Sequence, residues 1–334
     1  MNTPDRRRLL AALLATPLAG WAQTAARADR IVVAGWSKPI TEVTPLLVDE
    51  DKGFYKAQGL ALEYVPGAGS ADALRNILSG QADVAFSDPL TFFSALDRGE
   101  KLRAIYDIYP QNVFNVVSLK GSGIGKPADL KGKKVGVYSL ASGTRQGLQL
   151  LLHSAGLTEA DVTVVVTGLL NFAPLMQGQV DATAATDTGL LIGRHRGLPE
   201  VNVMEVGRFL HMSSDLFVVR EETYQARRAV LQRFLRAYRD AALWMMLQPQ
   251  EAALLAGTRA IDGTDPVLAL EIIKLRNAAS VSELTRRNGL GSIDIPSLQA
   301  AADAWRKLGM VQQHIAVDQV VSQDLLPGRK GEAG

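Results

Sequence analysis

The 334-residue chain contains no cysteine. That absence excludes disulfides, thiol nucleophiles and cysteine-ligated metals, and it excludes a lipoprotein, whose anchor needs a cysteine at the cleavage point. Histidine is scarce: His153, His195, His211 and His314 show no metal-ligand spacing and no carboxylate partner at helical distance. No Ser sits in a Gly-x-Ser-x-Gly elbow. Gly121 to Pro127 lacks both the glycine spacing and the Ser or Thr after lysine of a phosphate loop. No stretch reaches the roughly eighteen apolar residues of a membrane helix. Strong charge is missing too. The formal net charge is +2, and the first 28 residues hold four arginines against one aspartate, so the remainder is close to −1. A chain without a basic stripe is not expected to bind nucleic acid.

The N-terminus carries the three parts of an export signal. Arg6, Arg7 and Arg8 are positive, Leu9 to Leu18 form a short apolar run, and small residues follow at Ala22 and Ala26-Arg27-Ala28. Residues 1–28 are expected to be removed, with cleavage after Ala22 or Ala28, leaving a soluble protein in a bacterial periplasm. The arginine pair ahead of Leu9-Leu10 suits the twin-arginine route as well as the general secretory one. The chain is longer than one comfortable core, which makes two domains the expectation.

One segment occurs twice. Leu78-Ser79-Gly80-Gln81-Ala82-Asp83-Val84-Ala85-Phe86-Ser87-Asp88 returns as Met176-Gln177-Gly178-Gln179-Val180-Asp181-Ala182-Thr183-Ala184-Ala185-Thr186-Asp187. Each copy reads as a helix stopped by glycine, a short strand of small residues, and an Asp at the strand end. Open α/β sheets bind ligands at strand ends. Two copies therefore imply two similar α/β lobes facing each other across a cleft, with Gly80, Asp83, Gly178 and Asp181 as structural punctuation.

The surrounding pattern agrees. Residues 31–35 and Leu60 to Val65 read as strands, Thr44 to Tyr55 as a helix, and Ser70 as the cap of a helix through Leu78. Alternation restarts with Lys134 to Val137, a helix from Arg145 to Ala155, and a strand from Val162 to Val166. Strand alternating with helix predicts parallel βαβ units. From Arg227 only helices are expected, with Leu231, Phe234, Leu235, Tyr238, Ala242 and Met245 as a buried stripe.

Gly53-Phe54-Tyr55-Lys56 with Gly59-Leu60 resembles the opening motif of periplasmic solute-binding proteins. The group that it most resembles serves nitrate, sulfonate, taurine and thiamine-pyrimidine-precursor ABC importers (the NMT1-like family). Gly80 to Asp88, Lys126-Pro127-Ala128-Asp129-Leu130-Lys131-Gly132-Lys133-Lys134-Val135-Gly136, Ser142-Gly143-Thr144 and Gly178 to Asp187 follow in the same order. The resemblance implies a type II periplasmic-binding-protein fold of class α/β, with two Rossmann-like lobes and a ligand cleft between them. The expected organisation is lobe 1 over residues 29–109, completed by C-terminal helices at about 225–325, lobe 2 over 110–224, and a disordered tail at 326–334. It also implies an ABC permease as membrane partner and a protein that works as a monomer without cofactor or metal.

Candidate ligand contacts lie where strands end and helices begin. Trp36 and Ser37 follow the first strand, and Gly69 and Ser70 open a helix whose free N–H groups favour an anion or carbonyl. Ser87 and Asp88 end the first repeat, and Thr186 and Asp187 end the second. Ser142, Gly143 and Thr144 open the matching helix of the second lobe, where the resemblance places a ligand in many relatives. Tyr109, Tyr138 and Phe172 are candidate cleft walls for which core packing is the favoured role, with Tyr109 kept among the candidate contacts. Ser142→Ala and Asp187→Ala are expected to weaken binding without unfolding the chain.

With Asp88 and Asp187 opposed across the cleft, the ligand is expected to carry N–H donors or positive charge. This favours a pyrimidine-like or amine-bearing heterocycle over a sulfonate, taurine or nitrate-type anion. Two alternatives come from other classes. A pyrimidine-precursor synthase is related, but the resemblance assigns such enzymes a cysteine-rich motif, and this chain has no cysteine. A periplasmic sensor would share the lobes. The expectation is a binding protein and not an enzyme.

Overall fold

The structure, a computed structural model, describes residues 28–168, 172–262 and 265–328. The expected export signal up to residue 27, and residues 329–334 of the expected tail, lie outside the described residues. Leu326, placed in that tail from sequence, is buried.

The first half of the chain runs β1 (Asp29–Ala34), α1 (Asp49–Lys52), β2 (Leu60–Val65), α2 (Ser70–Leu78), β3 (Val84–Ser87), α3 (Pro89–Asp97) and β4 (Leu102–Tyr109). It then crosses to β5 (Phe114–Leu119), β6 (Lys134–Val137), α4 (Gly143–Ser154), β7 (Thr163–Val166), α5 (Ala173–Met176), β8 (Ala182–Thr186), α6 (Asp187–His195) and β9 (Val201–Glu205). It returns as β10 (Asp215–Arg220), followed by α7 (Glu221–Ala226), α8 (Arg228–Leu247), α9 (Pro249–Arg259) and α10 (Pro266–Ala279). The described chain closes with α11 (Glu283–Asn288), α12 (Ile295–Lys307) and α13 (Val317–Val320).

Two five-stranded sheets result, ordered β2-β1-β3-β10-β4 and β7-β6-β8-β5-β9. In each, three parallel strands meet an antiparallel strand that arrives from the other lobe: β10 against β3 in the first, β5 against β8 in the second. This is the two-lobed α/β architecture expected from the repeat. The chain therefore crosses twice between lobes. Ser214 joins the two crossings: its hydroxyl donates to the Gln111 carbonyl (2.8 Å) and accepts from the Val113 N–H (2.9 Å). The Ser214 N–H donates to the Tyr109 carbonyl at 2.8 Å.

The repeat does the same work in both lobes. Gly80 and Gly178 turn left-handed after their helices, with φ of 75° and 68°. Three residues on, the Asp83 carboxylate accepts from the Val32 N–H (2.9 Å), and the Asp181 carboxylate from the Lys134 N–H (2.8 Å). Each aspartate also pairs its own N–H with the carbonyl of the same partner. The central strand of each parallel set is thus held in register against the start of its neighbour, β3 or β8.

Two further expectations differ from the structure. Thr44 to Tyr55 is no continuous helix, but a 3-10 turn at Thr41–Leu46 followed by α1. Pro45 lacks the N–H that an α-helix needs, and Gly53 ends α1 at a φ of 68°. The lobe boundary near residue 224 falls too late, because β10 is already paired with β3 and β4 of the first sheet. The C-terminal helices complete the first lobe, and α10 also packs against α6 of the second.

The first lobe's core is aromatic. Phe217 on β10 packs against Phe86, Tyr106, Phe234 and Tyr238, the last at 4.7 Å between ring centroids. Tyr109 extends this cluster toward the cleft through Phe86. The second lobe is mostly aliphatic, with Leu148, Leu151 and Leu152 of α4 buried on one face.

Candidate functional site

A cleft of about 260 Å³ separates the lobes. The first lobe contributes Trp36 after β1, Glu42 in the 3-10 turn, Gly69 and Ser70 at the start of α2, and Asp215 at the start of β10. Ile272 and Arg276 of α10 and Asp262 after α9 complete that side. The second lobe contributes Phe114, Tyr138, the Ser142-Gly143-Thr144 turn, Phe172, Thr186 and the exposed Arg196.

Seven of the residues expected from sequence are therefore on the cleft wall: Trp36, Gly69, Ser70, Ser142, Gly143, Thr144 and Thr186. Five are not. Ser37 is fully buried and donates to the Lys38 carbonyl at 2.8 Å. Ser87 is also fully buried, under the start of α3. Asp88 caps α3, accepting from the Thr91 N–H (2.8 Å) and the Thr91 hydroxyl (2.9 Å). Tyr109 is buried behind the wall, donating to the Glu42 carbonyl at 3.1 Å. Asp187 lies on the far side of α6 from the cleft, where Arg276 engages it.

The expected opposition of Asp88 and Asp187 thus gives way to a different relationship. Asp88 stands eight residues after Gly80, and the residue eight after Gly178 is Thr186. Thr186 is the N-cap of α6, accepting from the Gly189 N–H at 3.1 Å, as Asp88 is of α3. Asp187 corresponds to Pro89 and is the first residue of its helix. The two carboxylates do not face each other.

Hydroxyls at the two helix starts are also committed. Ser142 donates to the Ser139 carbonyl (2.7 Å) and lies 2.8 Å from the Thr144 hydroxyl, which accepts from the Tyr138 N–H (3.0 Å). Ser70 accepts from the Asp88 N–H at 3.0 Å. What α4 turns toward the cleft is its first N–H groups, which no intrahelical carbonyl can reach. Close approach explains the glycines here. A side-chain carbon on Gly143 would lie 2.5 Å from the Phe114 ring, and one on Gly69 would lie 2.3 Å from the Ala141 carbonyl oxygen of the other lobe.

Sequence reading missed Phe114 and, above all, the charged residues. Arg276 is buried, with 1% exposure, and its guanidinium lies 5.0 Å above the Tyr109 ring. It ion-pairs with Asp187 and, at 3.5 Å, with Glu42. Burial works against its charge, and Asp187 and Glu42 outweigh burial, holding its pKa above the usual value. Glu42 accepts from the Thr188 hydroxyl of the second lobe at 2.8 Å through one oxygen; the other, Oε2, is buried with no hydrogen-bond donor. Burial raises the Glu42 pKa, opposed by Arg276 and Thr188. Asp215 is pushed well up by burial and by neighbouring Asp88. A signal for Arg276 existed: Ala269, Ile272, Ile273 and Ala279 place it on the buried stripe of α10, where an arginine needs a partner.

Polar contacts join the lobes around this cleft. Thr188 meets Glu42, Asp187 meets Arg276, Gln146 meets Thr91, and the Ser139 hydroxyl donates to the Ala68 carbonyl. The two lobes are closed on each other. Aromatic rings form one corner: Trp36 and Tyr138, one from each lobe, meet edge to face at 6.4 Å, and the Trp36 indole N–H is buried without a partner. Among the described residues no His, Asp and Glu group is arranged to hold a metal, and no helix is long and apolar enough to cross a membrane.

Residues 40–252 match the family model described as NMT1/THI5 like. The chain belongs to the NMT1/THI5-like family. A Haemophilus influenzae protein named for thiamine biosynthesis is 34% identical over 138 residues, 41% of this chain and 43% of that protein. The 4-amino-5-hydroxymethyl-2-methylpyrimidine phosphate synthase of Aspergillus parasiticus is 24% identical over 62% of this chain and 64% of its own length. The chain thus spans less than two thirds of these two relatives. The riboflavin-binding protein RibY of Chloroflexus aurantiacus is 21% identical over 87% of this chain and 84% of its own. The alkanesulfonate-binding protein SsuA of Xanthomonas axonopodis pv. citri, solved with MOPS, superposes with a TM-score of 0.69 at 16% identity, over 90% of this chain and 100% of SsuA. That likeness establishes the periplasmic-binding-protein fold for the NMT1/THI5-like chain.

Proposed function

We propose that this protein is the exported substrate-binding component of an ABC importer and that its ligand is a flat, amine-bearing nitrogen heterocycle of the pyrimidine kind. The observation that carries the reading is a pair of buried polar atoms on cleft-wall residues beside an aromatic corner: Trp36 Nε1, which has no partner, and Glu42 Oε2, which has the Arg276 guanidinium at 3.5 Å but no hydrogen-bond donor. An aminopyrimidine supplies both complements: a ring nitrogen to accept from the indole, and an amino group to donate to the carboxylate. Its flat face suits the rings of Trp36, Tyr138 and Phe114.

Charge supports the same class. Arg276 already serves Asp187 and Glu42, and the other arginine on the wall, Arg196, is exposed. A sulfonate entering this cleft meets Glu42, Asp215 and Asp262 with no unpaired buried cation to offset them. Relatives named for pyrimidine phosphate synthesis and riboflavin binding point to flat heterocycles as well.

The work follows from closure. Ligand enters the open cleft, contacts both lobes, and favours the closed form through contacts only that form offers. The closed monomer then docks on a membrane permease. Residues 1–28 direct export, and no cofactor or turnover is involved; a synthase reaction lacks here the cysteines that the synthase resemblance calls for.

Thermal-shift screening of the purified mature protein tests the reading. Stabilisation by 4-amino-5-hydroxymethyl-2-methylpyrimidine, with none by taurine or alkanesulfonates, is expected. Stabilisation by the sulfonates alone refutes it, and release of a chemically altered ligand refutes the non-enzymatic part.

A further inference from the structure

Behind the seam of α6 and α10 lies a second cavity, of about 580 Å³. The two helices divide their faces between the two spaces. Ile192 and Arg276 look into the cleft, whereas Leu191 and Arg194 of α6 and Glu271 and Lys274 of α10 line the second cavity. Phe114 borders both and forms part of the partition.

The inner wall of this cavity carries two carboxamides from the first crossing between lobes. Asn115 is 6% exposed, and its Oδ1 is buried with no donor. Asn112 accepts from the Phe114 N–H through Oδ1 at 3.0 Å, which fixes its amide so that Nδ2 is the end left over; that Nδ2 is buried and unpaired. Buried polar atoms of this kind are rare and costly unless something pairs with them. Of the charges around the cavity, Arg194 and Lys274 stand against Glu205 and Glu271, and the remaining carboxylate, Asp187, is neutralised by Arg276, so the lining selects no ion.

We propose that this cavity is a second small-molecule site, taking a neutral carboxamide or lactam whose N–H pairs with Asn115 Oδ1 and whose C=O pairs with Asn112 Nδ2. The site is separate from the cleft and does not rest on the function proposed above. Its occupant holds the same two helices that close the cleft, joined by Arg276–Asp187 and by His195–Glu271 at 2.7 Å. Ligands at the two sites are therefore thermodynamically coupled, each changing the other's affinity by the same factor.

NMR of the full mature chain tests the proposal, with 2-pyrrolidinone and nicotinamide as probes at millimolar concentration. The side-chain amide resonances of Asn112 and Asn115 are expected to shift saturably. Asn115→Leu is expected to weaken this binding about tenfold or more, the loss of one hydrogen bond in a buried site. Leu191→Trp, at a half-buried position, fills the cavity from α6 and is expected to abolish it; this variant decides the matter if Asn115→Leu does not fold. Saturable shifts that survive Leu191→Trp overturn the proposal. So does the absence of any shift at the two asparagines, or a shift confined to the Trp36 indole, which marks binding in the cleft.

Discussion

Arg276, on α10 of the first lobe, binds the carboxylate of Asp187, at the start of α6 on the second, while stacking on Tyr109. One buried guanidinium thus joins the two lobes and offsets the carboxylates of Glu42 and Asp215 on the cleft wall. It also explains why Asp187 and Tyr109, both expected as ligand contacts, serve the cleft from behind its wall.

Removing that cation is expected to be expensive. Arg276→Met leaves Glu42 and Asp215 buried without their cation, a change of the class that costs about 3–5 kcal/mol. Asp187→Asn is expected to cost about 1 kcal/mol or less, because the Asp187 side chain is 34% exposed and screened by solvent. Urea unfolding of both variants checks the ranking. Equal losses would show that the pair does not act as a buried one.

Glu42, on the cleft wall, joins ligand recognition to closure, since one oxygen meets Thr188 and the other, 3.5 Å from the Arg276 guanidinium, lacks a hydrogen-bond donor. Glu42→Gln preserves an acceptor for Thr188 and removes the charge. Affinity for an aminopyrimidine is expected to fall about 10- to 100-fold, the value of a charge-assisted hydrogen bond, and melting temperature to fall as well, though less than in Arg276→Met, because Arg276 keeps Asp187. Isothermal titration of the two proteins measures it.

The acids predict the direction of pH dependence. Burial pushes the Asp107 carboxyl up to about 8, relieved by the Ser213 hydroxyl at 2.6 Å, and burial raises Asp88, Glu42 and Asp215 in the same sense. Unfolded aspartate titrates near pH ~4. Between that value and about 8 the folded Asp107 keeps a proton that the unfolded chain releases. Its contribution is complete below the lower value and is lost as pH rises to the upper one, at no more than ~1.4 kcal/mol per pH unit. Stability measured across that window is expected to fall with rising pH, and Asp107→Asn is expected to flatten the slope. A slope of opposite sign contradicts the assignment.

Gly69 and Gly143 limit how closely the lobes and the α4 turn can pack. Gly69→Ala sets a carbon against the Ala141 carbonyl across the interface, at 2.3 Å before relaxation. The variant is expected to scatter X-rays as a more open molecule. Gly143→Ala is expected to push the Phe114 ring and to cost about 1–3 kcal/mol through overpacking. Wild-type-like scattering from Gly69→Ala would mean that closure does not depend on this contact.

The architecture was legible because the repeat is local. A glycine, an aspartate three residues later and a run of small residues specify a helix stop, a strand start and a strand, and both copies fold that way. Strands β4 and β9 follow glycine helix stops at Gly99 and Gly197 without the aspartate three residues on, β5 and β10 have neither, and the boundary before β10 is not marked in the sequence. At the site, backbone positions were readable and charges were not. Trp36, Gly69 and the Ser142-Gly143-Thr144 turn lie at strand ends and helix starts, which sequence marks. Glu42, Asp215 and Arg276 meet only through tertiary packing, from positions as far apart in the chain as 42 and 276. Asp88 and Asp187 looked equivalent because each ends a copy, yet counting from the glycines pairs Asp88 with Thr186.

The central claim is that the cleft selects a flat, amine-bearing heterocycle through Glu42 and the Trp36 corner. Isothermal titration of the mature protein with 4-amino-5-hydroxymethyl-2-methylpyrimidine and with taurine, run in parallel on wild type and Glu42→Gln, tests it most directly. The account predicts saturable binding of the pyrimidine that weakens in the variant, and no measurable binding of taurine. Tight taurine binding indifferent to Glu42, with none of the pyrimidine, would contradict it.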